Sequence, residues 1–409
     1  NTIIVFTSDH GDMMGDHGLF LKGFMHYRGT LQVPLVIDAP GLPALRTQGL
    51  SSSIDIAPTL LELCSLAGYD GIQGNSLAPM LSDGSARVRD HVLIEDDVAT
   101  IAAHMDTNTD YRLFAWFERH LQKMKYSGSY GLAPYHRERQ DALVDALLEP
   151  LTPDALQLDE QFEQPAYYTS VDIHQHPGGV WSEPVSGLIY ERGARTTTPL
   201  LNKSHRDLHD RFTDSVLGDE RLTTEAPDIL DLGCGFGKST RPFWTASPGS
   251  HITAVDLAAP CLRVAASEAA RDSRDNMVFR QADARHTGCA DETVDLLTST
   301  MLLHEMPDTA RREMFAESWR VLRPGGIAVH LDFWLLPTPF DRFIMEGHSK
   351  RNNEPFMKAL FDSDLPGDLR ETGFVDIDIA AFSEADGIDP LSAPFWRFPW
   401  TRIAMMKPK

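Results

Sequence analysis

The chain enters an apolar run at once, Ile3-Ile4-Val5-Phe6, which predicts a buried strand and a sequence that starts inside a domain. A polar loop follows, then a second apolar strand from Val33 to Ile37, then a helix opened by Asp55 with Pro58 in its first turn. From Met105 to about Leu148 the pattern becomes helical, with Tyr111, Phe114, Phe117, Leu121 and Met124 recurring every three or four residues. Residues 150–220 are mixed and contain turn-rich stretches such as His176-Pro177-Gly178-Gly179. Beyond Pro227 short apolar runs alternate with helical patterns, the arrangement that predicts a parallel sheet with crossover helices. Three segments are expected: an α/β piece over 1–104, a helical and mixed cap over 105–220, and an α/β core over 221–409.

Composition narrows the classes. With 409 residues the chain is long enough for two or three domains. No apolar run approaches the roughly 20 residues that span a bilayer, so no membrane span is expected. Thirty-seven basic against 59 acidic residues give a formal charge of −22, which repels nucleic acid and anionic surfaces, and no local basic patch reverses it. Cys64, Cys234, Cys261 and Cys289 are scattered, without the paired spacing of a zinc site. Reduced thiols and a cytoplasmic location are the expectation.

The first candidate for chemistry is Asp228-Ile229-Leu230-Asp231-Leu232-Gly233-Cys234-Gly235-Phe236-Gly237-Lys238-Ser239-Thr240, an apolar strand running into a glycine-rich turn and a helix. Glycines there allow a sharp turn and let a ligand approach main-chain N–H groups. A second strand, Ile252 to Val255, ends in Asp256, where a carboxylate can accept from both hydroxyls of a ribose. A third strand leads to Gln281-Ala282-Asp283-Ala284, and a fourth ends at Ser299-Thr300. The glycines fall as G-x-G-x-G, whereas a dinucleotide fold asks for G-x-G-x-x-G.

These motifs, with Arg320-Val321-Leu322-Arg323-Pro324-Gly325-Gly326, resemble the successive motifs of class I S-adenosylmethionine-dependent methyltransferases of the ubiquinone-biosynthesis type. The resemblance is close over residues 225–335. It implies a Rossmann-like seven-stranded sheet with a helical N-terminal extension, and S-adenosyl-L-methionine as cofactor. By that resemblance Asp231, Gly233 and Gly235 line the methionine part, Asp256 holds the ribose, Asp283 and Ala284 meet the adenine, and Cys234, Gly237, Leu257, Ser299 and Tyr190 are further cofactor-binding residues. Gly373 to Ile379 and Thr401 to Met406 look like the family's closing antiparallel hairpin, and residues 340–370 form an insertion-like helical stretch that could cover a substrate.

Methyl transfer is an in-line displacement from a sulfonium, so positioning and desolvation supply most of its acceleration, and a base is needed only for an acceptor with a proton to lose. His304, just past the fourth strand, is the candidate catalytic residue, or else a helix-start residue lining the pocket. His174 and His176 read as turn residues or as further bases, Tyr190 as a packing group, and Cys234 as an inert buried thiol. The expected partner is a small organic acceptor.

At the other end, Ser8-Asp9-His10-Gly11, then Gly15-Asp16-His17-Gly18-Leu19-Phe20-Leu21-Lys22-Gly23, then Val33 to Ile37 and Asp55-Ile56-Ala57-Pro58-Thr59-Leu60 resemble the C-terminal half of type I sulfatases and their phosphonate-hydrolase relatives, over residues 1–96. The resemblance implies Asp9 and His10 as ligands of a divalent cation, calcium foremost, and Lys22 as a sulfate contact. The family's nucleophile arises in a C/S-x-P-x-R motif, and none of the four cysteines sits in one. The segment is therefore expected to be an incomplete α/β sulfatase-type domain, inactive by itself. The alternative function is a sulfuric-ester or phosphonate-ester hydrolase, with methyl transfer as a second activity.

Overall fold

A computed structural model describes the chain except for residues 1, 9, 12–13, 15–27, 69–71, 73, 91–97, 153, 198–207, 385–388 and 392–397. It divides into two units, Asn1–His104 and Met105–Lys409.

In the first unit β1 (Ile4–Thr7) pairs antiparallel with β2 (Leu35–Asp38), Val5 opposite Ile37. The strand expected from Ile3 to Phe6 forms, but it is not buried: Ile4, Phe6 and Val36 are more than half exposed. Among the described residues this sheet has two strands, and a two-stranded ribbon has no layer to cover its apolar face. The helix Ile56–Leu63 starts as expected after Asp55. That carboxyl is wholly buried, accepting the N–H groups of Ser52 and Asn75, both at 2.8 Å, and pairing with Arg89.

The second unit is built on one sheet. The apolar runs beyond Pro227 become β4 (Ile229–Leu232), β5 (Ile252–Asp256), β6 (Met277–Gln281), β7 (Val294–Thr300) and β8 (Leu322–Phe333), followed by β9 (Val375–Ala381) and β10 (Trp400–Met406). An eighth strand joins the expected seven: β3 (Leu156–Gln157), two residues from the preceding segment, lies parallel to β6 at the edge. The order is β3-β6-β5-β4-β7-β8-β10-β9, with β10 antiparallel to both of its neighbours. Strand order reverses at β4, which has β5 on one side and β7 on the other, and ligands of open α/β sheets enter at such a reversal, at the carboxyl ends of the strands.

The core strands read as continuous apolar runs because helices cover both faces, and Leu230, Leu232, Ile252, Leu296 and Val329 are fully buried. The helix Thr109–Tyr126 forms where the spacing predicts it. It turns Tyr111, Ala115, Glu118 and Tyr126 inward, with Tyr111 on Phe343 and Glu118 paired to Arg351, while Phe114, Phe117, Leu121 and Met124 are more than half exposed. The helix Ser186–Thr197 lies against the helix Ala259–Arg271 that follows β5. Gly187 makes that approach possible, since a Cβ there would overlap the carbonyl of Pro260.

Gly187→Ala should therefore push the two helices apart and cost about 1–3 kcal/mol, the range for overpacking a tight contact. Urea unfolding followed by tryptophan fluorescence reads this unit alone, because all 7 tryptophans lie beyond His104. An unchanged midpoint would mean that the close approach carries no stability.

Candidate active site

The site begins with the turn after β4. Gly233, Gly235 and Gly237 have φ of 65, 52 and 86°, the left-handed region that side chains with a Cβ enter at a cost. They differ in surroundings. A Cβ at Gly237 would sit 2.9 Å from that of Ala265, and one at Gly233 would strike Leu302, whereas one at Gly235 would meet nothing within 4 Å. The loop is thus pressed onto the protein at two glycines and open at the middle one.

Two carboxyl groups hold this turn. Asp231, 1% exposed, accepts hydrogen bonds from Thr240 (2.6 Å), Ser239 (3.2 Å) and, across the parallel pair, Thr298 (3.0 Å). Burial pushes its pKa up to about 6 against the pull of those three hydroxyls. Asp256, at the end of β5, accepts from the N–H of Gly235 and of Ala258, both at 2.8 Å. Burial raises it to about 6 as well, the two N–H bonds opposing and the nearby Glu305 and Asp231 adding.

The remaining expected residues fall into two groups. Leu257 is half-buried and its carbonyl accepts from Gln164 and Gln281. Ala284 and, within the turn, Cys234 are buried, and burial pushes the Cys234 thiol well up. Asp283 is clasped by both ends of the Arg285 guanidinium at 2.7–3.0 Å. Asp231 and Ser299 have polar atoms engaged inside the protein, Asp231 with the three hydroxyls and Ser299 with Nδ1 of His330 at 2.7 Å.

His304 is 2% exposed, with Nδ1 2.6 Å from Asp332, whose other oxygen accepts the N–H of Leu303. Burial alone would lower its pKa, but Asp332 outweighs it and holds the ring at about 9. The ring therefore keeps its proton at neutral pH.

Tyr190 and His174 come together over this turn. The Tyr190 ring meets Phe236 edge-on at 5.4 Å and stacks on His174 at 5.5 Å. His174 and Gln175 both have positive φ, 56 and 58°, and Gln175 is tied to the carbonyl of Arg351 at 3.0 Å. This backbone places His174 between two acids, Nε2 2.9 Å from Glu305 and Nδ1 2.9 Å from Glu354. Burial pulls the His174 pKa down, the two carboxylates pull harder the other way, and it stands at about 10. His176 instead packs at a tilt against Tyr126, ring centroids 4.9 Å apart, and burial lowers it to about 4. Sequence reasoning missed Asp332, Glu354 and His348; the helical stretch 340–370 was the only signal for the last two. Gln175 also lines a cavity of about 660 Å³ with Arg119, Lys123, Ser127, Asp172 and Asn353, none of them from the glycine turn.

Of the sulfatase-type residues, Asp9 and Lys22 lie outside the described residues. The Nδ1–H of His10 donates to the carbonyl of Gly11 at 2.9 Å, and no group of three metal-ligating side chains gathers among the described residues.

Residues 229–326 match the family model described as a methyltransferase domain, and residues 1–66 match the sulfatase family. The chain carries a methyltransferase domain and, ahead of it, a sulfatase segment. Among curated proteins, an arylsulfatase of Clostridium perfringens is 35% identical over 124 residues, 29% of this chain and 25% of its own length. The arylsulfatase K of Mus musculus is 40% identical over 86 residues, 21% of this chain and 15% of its own. The chain thus spans a quarter or less of these relatives. Solved structures similar to part of this chain include an S-adenosylmethionine-dependent methyltransferase of Mesorhizobium loti (19% identity, 44% of this chain and 91% of that one, TM-score 0.34). A phosphoethanolamine N-methyltransferase of Haemonchus contortus also matches (18% identity, 49% and 53%, TM-score 0.37). No described helix is long and apolar enough to cross a membrane.

The two carboxylates around His174 set a pH dependence. A raised histidine pKa contributes stability that is fully present below the ordinary value of 6.5 and is lost as pH rises through about 10. The stability difference between the protein and its His174→Gln variant should follow that course in urea unfolding. A difference that stays flat from pH 6 to 10 would contradict the clamped imidazolium.

Proposed function

We propose that the methyltransferase domain binds S-adenosyl-L-methionine and transfers its methyl group to a small organic acceptor. The observation that carries this reading is the glycine turn, open above Gly235 and latched to Asp256 one strand away. Its fit to the cofactor is chemical: each Asp256 oxygen accepts one backbone N–H and retains a lone pair for a ribose hydroxyl. Gly233, Cys234, Gly235 and Gly237 would border the methionine part, Leu257 the ribose, Asp283 and Ala284 the adenine, and Tyr190 the far wall. The cofactor supplies a methyl group on a sulfonium, whose charge is lost on transfer.

The protein's own part is to orient the acceptor and exclude water. His304 holds its proton at neutral pH, so in this reading it is a positioning residue. Through Asp332 it fixes the turn that carries Glu305.

The sulfatase match supports a second reading, a sulfuric-ester or phosphonate-ester hydrolase in which Asp9 and His10 hold a divalent cation, calcium foremost, and Lys22 meets the sulfate. No C/S-x-P-x-R motif occurs in residues 1–104, so the given residues hold no nucleophile of that kind. The chain should release no sulfate from an aryl sulfate with calcium present. Release that Asp9→Ala abolishes would establish this reading.

Calorimetry tests the first reading. S-adenosylhomocysteine should bind more tightly than NAD, and Asp256→Ala should weaken it by about 1.5–3 kcal/mol, as for hydrogen bonds to a charged acceptor. Gly235→Ala should lose binding at a stability cost of about 1–2 kcal/mol from its φ alone, while Gly237→Ala, which also strikes Ala265, should lose more stability. Tighter binding of NAD would overturn the assignment.

A further inference from the structure

We infer that the acceptor of the proposed transfer is an amine, received by the carboxyl groups of Glu354 and Glu305. The inference rests on the methyl-transfer reading and names its substrate class.

Glu354 is 3% exposed. One of its oxygens holds His174, and among the described residues the other, Oε2, is buried with no hydrogen-bond partner. An unpartnered buried carboxylate oxygen is costly, and a bound donor would remove that cost. The nearest base to this oxygen is His348, with Nε2 at 3.9 Å. Contacts lead from here to the cofactor turn, from Glu354 to His174, on to the stacked Tyr190, and to Phe236 beside Gly235. Glu305, the other acid on His174, also acts on Asp256.

Charge selects the donor. Glu305, Glu354 and Asp332 surround two imidazoles that hold a proton, His174 and His304, Asp256 lies within electrostatic reach of Glu305, and burial keeps His348 below its ordinary value. A site with more acid than base disfavours a carboxylate or phosphate at the reacting end and favours a nitrogen that carries N–H groups.

The step balances. The amine lone pair forms the new N–C bond as the C–S bond breaks and its electron pair returns to sulfur, leaving a thioether. The methylated nitrogen then sheds one proton to solvent as the product leaves. Glu354 is thus a binding residue for the acceptor, and His174, locked by its two acids, a positioning residue for Glu354.

The test uses the full chain with methyl-labelled S-adenosylmethionine and sets of matched small acceptors, each ring or alkyl frame carrying an amine, a hydroxyl or a carboxylate. Label should enter amines and leave carboxylates untouched. Glu354→Gln, checked for folding by its affinity for S-adenosylhomocysteine, should keep that affinity and lose at least tenfold in kcat/KM for the amine. Transfer to carboxylates or hydroxyls with amines untouched, or full amine activity in Glu354→Gln, would overturn the inference while leaving the cofactor assignment in place. Failure of wild-type protein to bind S-adenosylhomocysteine would overturn both.

Discussion

The second unit depends on one buried carboxyl group. Asp231 stands at the end of the central strand, where the chain must leave the sheet, turn through three left-handed glycines and start a helix. Its two oxygens collect hydroxyls from the helix start and from the neighbouring strand β7, so turn, helix and sheet share one anchor. Because the group is completely enclosed, an isolated charge would be costly there, and the three hydroxyls are what allow a carboxyl to stay. With the turn held from beneath by Asp231, its upper side can be left open at Gly235 and latched sideways to Asp256.

Above this anchor the second unit adds elements from both ends of its sequence. The segment before the sheet contributes His174 and Tyr190, and the helical stretch after β8 contributes His348 and Glu354. The two meet through the Gln175 contact to the Arg351 carbonyl and through Asn353, which reaches the carbonyl of Asp172 at 3.0 Å. Each acid and imidazole is placed by a neighbour rather than by its own strand. The histidines consequently diverge: His174 and His304, hydrogen-bonded to carboxyl groups, stand above their ordinary pKa, and His176 and His330, where burial outweighs the nearby acids, stand below it.

The sequence pattern alone determined the α/β class, the strands β4 to β7, the glycine turn and the position of Asp256, and the family resemblance added the closing pair β9 and β10. Each is a local signal: a short apolar run bounded by turn residues, a residue type needed for positive φ, or an acid at a strand end. It could not determine exposure at β1, because a strand's alternation does not say which layers are present to cover it. The strand β3 was invisible for a related reason, since two residues carry no period. Nor could it separate the roles of Asp231 and Asp256, which have the same chemistry and similar local settings. Tertiary contact turned one into an enclosed anchor and left the other beside the open turn. The partners of His174, 131 and 180 residues downstream at Glu305 and Glu354, were decided by folding alone, because a hydrogen bond across that span of chain leaves no periodicity in the sequence.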